Sequence, residues 1–70
     1  NKIEPLIYPN PTTGIIHIKG YDGEEYKLLD LNGRLISNGR ISNSIIDLTG
    51  LKNGVYFLRL DSSVIKILKE

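Results

Sequence analysis

Gly54-Val55-Tyr56-Phe57-Leu58-Arg59-Leu60 alternates more cleanly than any other stretch of the chain. A charged Arg59 between two leucines marks one side as solvent-facing. The period-two geometry of a strand then turns Tyr56, Leu58 and Leu60 toward an interior. The same reasoning applied to Ile15-Ile16-His17-Ile18-Lys19 places Ile16 and Ile18 inside, with His17 and Lys19 in water. Between such runs the chain is punctuated by glycine and asparagine. Asn-Gly occurs at 32–33, 38–39 and 53–54. Each pair suits a turn, because both residues tolerate the positive φ that type I′ hairpins require.

Strands are expected at about 3–8, 15–19, 24–31, 34–38, 44–48, 55–61 and 64–69, with turn signals every ~8–12 residues. The predicted fold class is all-β, a small Ig-like antiparallel β-sandwich of about seven short strands. Tyr26-Lys27-Leu28-Leu29-Asp30-Leu31 changes phase partway, which predicts a bulge or two buried faces. Ser62 could cap a short helix at the end of the chain, but Ile65 with Ile67 fits a strand better. The predicted core is Ile16, Ile18, Leu28, Tyr56, Leu58, Leu60 and Ile67.

Seventy residues, 40% of them hydrophobic, make one domain near the lower limit for a self-sufficient core. Such a chain has no room for a deep enclosed active site. A net charge of +1 carries no electrostatic footprint for nucleic acid. No apolar run approaches the roughly 20 residues of a membrane-spanning helix. Cysteine is absent, which removes disulfides and thiolate metal sites. No signal peptide opens the chain and residue 1 is not methionine, so an excised or processed product is expected.

Catalytic and metal-ligating residues are expected to be none, and no cofactor is expected. His17 is the only histidine and reads as a solvent-facing strand residue. Glu24 and Glu25 follow Asp22-Gly23 without the regular spacing of a calcium loop, so they read as a solvated turn. The four tyrosines, Tyr8, Tyr21, Tyr26 and Tyr56, are scattered over separate segments and suit packing better than sugar stacking. No phosphate loop or triad spacing occurs.

Four elements stand in order along the chain. The first is Tyr8-Pro9-Asn10-Pro11 with Gly14, leading into Ile15–Ile18. The second is Leu29-Asp30-Leu31-Asn32-Gly33-Arg34-Leu35-Ile36. The third is Ile46-Asp47-Leu48-Thr49-Gly50-Leu51-Lys52-Asn53-Gly54-Val55-Tyr56. The last is the basic terminal strand Ile65-Lys66-Ile67-Leu68-Lys69. Together they resemble a known family, the C-terminal sorting domains of the type IX secretion system (the Por secretion system tail). The match departs at Glu70, an acid where basic or neutral endings are common.

The resemblance implies a delivery role. An N-terminal passenger reaches the periplasm, outer-membrane type IX components recognise the folded domain, and the passenger passes to the cell surface or medium. In many members a sortase-like peptidase then removes the domain. Residues 1–6 would be the linker side of the junction with the passenger and residues 7–70 the sorting domain, acting as a monomer. Pro9, Asn10, Pro11 and Gly14 are candidate recognition residues, since a stiff elbow loses little entropy on binding. Protection of a strand edge is the alternative reading.

Lys66 and Lys69, read as exposed on the last strand, are the other recognition candidates, again with edge protection as the alternative. Gly33, Asp47, Leu51, Gly54 and Tyr56 are structural-motif residues. Tyr56 suits the corner device of Ig-like sandwiches, its hydroxyl bonded back to upstream backbone, with direct receptor contact as the alternative. Two other functions compete, a glycan-binding accessory module using Tyr21 and Phe57, and a plain Ig-like spacer.

Overall fold

A computed structural model describes residues 6–70. The expected strand start at residues 3–5, and all of the expected linker except Leu6, lie outside the described residues. Seven strands follow one another: β1 (Ile7–Tyr8), β2 (Ile15–Ile18), β3 (Glu25–Leu29), β4 (Leu35–Arg40), β5 (Ile45–Asp47), β6 (Gly54–Leu60) and β7 (Ser63–Lys69). No helix occurs among the described residues, so the segment after Ser62 is a strand. The strands form two antiparallel sheets, ordered β1-β2-β5 and β4-β3-β6-β7. This is the expected small β-sandwich.

The alternation of β6 decides the interior. Tyr56, Leu58 and Leu60 are buried and Arg59 is exposed. All seven predicted core residues are buried, joined by Ile41, Ile46 and Leu48. Ile41 and Leu48 sit just outside regular strands. Long-range backbone bonds hold them there, Ile41 N–H to Glu24 O at 3.0 Å and Leu48 N–H to Gly14 O at 2.7 Å. The phase change in β3 is a register shift between Leu28 and Leu29 against β4, the expected bulge.

The turns differ from expectation in chemistry. Asn38-Gly39 is not a turn but lies inside β4, where Gly39 opposes Tyr26. A Cβ on Gly39 would stand 3.5 Å from the Tyr26 ring, so the ring covers the glycine and compensates for its missing side chain. The sharp turn comes later, at Asn43 and Ser44, with φ of 57° and 60° between the bridged residues Ser42 and Ile45. Asp22 holds this strained non-glycine pair, its Oδ1 accepting from Ser44 N–H at 2.8 Å and from the Ser44 hydroxyl at 3.3 Å.

At Asn32-Gly33 only the glycine has positive φ, 81°. The loop closes through Gly33 N–H to Asp30 O at 3.0 Å and Asp30 N–H to Arg34 O at 2.9 Å. This suits a three-residue hairpin loop with a left-handed last residue, not a two-residue type I′ turn.

Candidate functional site

The last strand is an edge of its sheet, and such an edge presents a row of unpaired backbone groups. The elbow closes part of that row. Asn10 Nδ2 donates to Lys66 O at 2.8 Å, and Leu68 N–H donates to Asn10 Oδ1 at 3.0 Å. One side-chain amide thus satisfies a donor and an acceptor of β7, as a neighbouring strand would. Two residues further on, Thr12 N–H donates to Leu68 O and Glu70 N–H donates to Thr12 O, both at 2.8 Å. Thr12 and Lys69 form a parallel bridge. Pro9 and Pro11 have no N–H, so the elbow offers no amide donor at these positions to a further strand. Both X-Pro bonds, Tyr8–Pro9 and Asn10–Pro11, are cis.

Thr12, expected only as part of the turn Thr12-Thr13-Gly14 into β2, is the pivot of this clasp. It is 1% exposed. Its hydroxyl donates to Ile15 O at 3.0 Å and accepts from Gly14 N–H at 3.1 Å. The sequence signal was a threonine, able to bond nearby backbone through its hydroxyl, between Pro11 and Gly14. Gly14 is needed for close approach, because a Cβ there would lie 2.5 Å from Thr49 Cγ2.

The terminal lysines separate. Lys66 is exposed on the outward face of β7, opposite Phe57. Lys69, expected in solvent, is only 7% exposed. The alternation that buries Ile67 also turns Lys69 inward, where its Nζ lies 3.5 Å from Asn53 Oδ1. Its stem packs while its head finds a polar atom beside the Gly54–Lys69 pair.

The third motif forms the adjoining loop. Asp47 Oδ1 accepts from Thr49 N–H at 2.9 Å and from the Thr49 hydroxyl. Those two bonds, the hydroxyl's first, hold the Asp47 carboxyl below the usual range. Leu51 packs against the core, with its N–H 3.2 Å from Leu48 O. Tyr56 is 8% exposed and its hydroxyl donates to Lys52 O at 2.7 Å, the bond of a tyrosine corner.

The second motif lies beside that loop. Residues Asp30, Leu31 and Asn32 share a shallow depression with Lys52–Tyr56. The Asp30 carboxyl is held below its usual range chiefly by the Arg34 backbone N–H, helped by that of Asn32 and by the Arg34 charge. The four separated sequence motifs therefore converge at one end of the sandwich.

Other candidates are dispersed. Tyr8 stacks on His17 with ring centroids 5.3 Å apart and planes at 17°. Tyr21 packs against the core and Phe57 is half-buried, so this pair does not present a sugar-stacking platform. Glu25 pairs with Arg40 at 3.3 Å. Among the described residues no group of three or more His, Cys, Asp or Glu side chains could hold a metal ion. The convergent end offers backbone edges, stiff loops and a lysine, which suit recognition by another protein.

A family model described as the secretion system C-terminal sorting domain matches residues 6–70. No curated protein matches the chain.

Proposed function

The chain belongs to the secretion system C-terminal sorting domain family, the sorting signal of type IX secretion, and on that premise we propose that its recognition surface is the clasp between elbow and β7. The family is not catalytic, and its role entails an N-terminal passenger, the type IX machinery and export to the cell surface or medium. One observation carries the proposed surface: the Asn10 side chain and the Thr12 backbone bind the strand that bears Lys66 and Lys69. Of the recognition residues named from the sequence, Pro9, Asn10, Pro11 and Lys66 are exposed and joined by the Asn10–Lys66 bond, whereas Gly14 and Lys69 are buried.

In this reading the passenger transits the periplasm, and outer-membrane type IX components engage Pro9, Asn10, Pro11 and Lys66 together. Gly14 and Lys69 act from behind, Gly14 by allowing the Thr49 approach and Lys69 by seating the strand end. Residues 1–6 form the junction with the passenger, and a sortase-like peptidase cuts on that side.

The test fuses residues 1–70 behind a periplasm-directed reporter in a host with the type IX machinery. Lys66→Gln combined with Asn10→Ala should lower export at least about tenfold, the equivalent of ~1.4 kcal/mol of recognition. The melting curve should stay cooperative. Lys69 is left intact because its burial would mix packing with recognition. Export at full efficiency from the double variant removes the clasp as the recognised surface.

A further inference from the structure

The outward face of β4-β3-β6-β7 carries a pattern that the core does not use and that the clasp shares only at Lys66. Cross-strand register lays Leu35, Leu29, Phe57 and Lys66 in one row across all four strands. Leu35 is 50% exposed, and none of the three apolar residues belongs to the interior cluster or packs against it. In the next row Lys27 stands directly opposite Arg59. Both are exposed. The ion pairs among the described residues, Arg34–Asp30 and Arg40–Glu25, involve neither of them.

Like charges directly opposed on antiparallel strands destabilise the pair. A sequence serving the fold alone would place opposite signs there, and a local departure from that rule marks a place where another requirement acts. An aromatic and two leucines bordered by arginine and lysine also match the composition of protein interfaces.

We propose that this face docks a partner protein segment carrying a carboxylate beside apolar side chains. The carboxylate sits between Lys27 and Arg59, and the apolar groups lie over Leu29, Leu35 and Phe57. Charge placement favours a discrete carboxylate over an extended anionic surface. Glu24, Glu25 and Asp61 line the same hollow as Lys27, Arg40 and Arg59, and the three acids would repel a lipid headgroup layer or a polyanion. The inference uses residues apart from the clasp and stands or falls separately from it.

The experiment titrates the whole chain with a short peptide alternating glutamate and leucine and follows its NMR shifts. Expected are changes confined to the outward residues of β3, β4 and β6, and binding that weakens as salt rises. The double variant Lys27→Gln, Arg59→Gln should bind about tenfold more weakly, yet melt at a higher temperature because the repulsion is gone. That opposite movement of affinity and stability is not expected of a purely structural face. Shifts mapping elsewhere overturn the proposal, as does equal binding of a glutamine–leucine peptide. So does undiminished binding by the double variant. Tighter adherence to vesicles containing phosphatidylglycerol than to the peptide would assign the face to lipid instead.

Discussion

The loop Leu51–Tyr56 and the elbow Tyr8–Gly14 both fasten irregular chain to a strand, with contrasting chemistry. The loop is pinned from within. Tyr56 is buried in the core and spends its single hydroxyl on Lys52 O. The elbow is pinned at the sheet edge, by exposed Asn10 at its tip and buried Thr12 at its base, to backbone groups of β7, with its prolines exposed. Buried area is what stabilises a small domain, whereas exposed hydrogen bonds exchange with water at little net gain. The loop therefore serves stability, and the elbow governs what can reach the β7 edge.

The largest effect should come from the loop. Tyr56→Ala removes a buried ring and is expected to cost ~3–5 kcal/mol. A domain of this size has only about 4–10 kcal/mol in total, so equilibrium denaturation should find the variant at or near unfolding. Tyr56→Phe isolates the hydroxyl and should cost ~1 kcal/mol. If Tyr56→Ala cost no more than Tyr56→Phe, the corner would be a hydrogen bond and not an anchor.

An intermediate effect is expected where the elbow meets the sandwich. Gly14→Ala drives a methyl into Thr49 Cγ2, and Thr49 is held by Asp47, so the clash is not relieved by simple rotation. A loss of ~1–3 kcal/mol should appear in the melting curve. A neutral result would mean that the 47–50 loop yields, and would make the elbow's base as soft as its tip.

The smallest effect on stability belongs to the elbow's tip. Asn10→Ala deletes two exposed bonds and should cost less than ~1 kcal/mol. Locally it should be conspicuous, because Leu68 N–H loses its acceptor and its amide exchange should quicken while that of Leu58 stays unchanged. Slow exchange at Leu68 in the variant would mean that the clasp persists without Asn10.

Much of this architecture was legible from local pattern. Alternation in Ile15–Ile18 and Gly54–Leu60 is a property of a few neighbouring residues and identified the inward faces, while the spacing of turn signals gave the strand count. The phase slip at Leu28–Leu29 was readable for the same reason. Lys69 stands two residues after the buried Ile67, so strand phase turns it inward, against the expectation that its charge keeps it in water. Its burial shows that strand phase prevails when a long stem can pack and its head can reach a polar atom. Asn38-Gly39 misled because a turn signal is only a tolerance for positive φ, and pairing with β3 left that tolerance unused.

By itself, then, the sequence determined seven strands, most of their inward residues, a hairpin at Asn32-Gly33 and four motifs in family order. Tertiary structure alone decided what those motifs do to one another. Asn10 meets Lys66 and Leu68 across 56 and 58 residues, and Gly14 meets Thr49 from the opposite half of the chain. Lys27 comes to face Arg59 only through the β3–β6 register. Periodicity is set by each strand's own backbone, while register and edge contacts depend on how the strands assemble. No short stretch of sequence holds that information, because it exists only once the sheets have closed around Ile16, Leu28, Leu58 and Ile67.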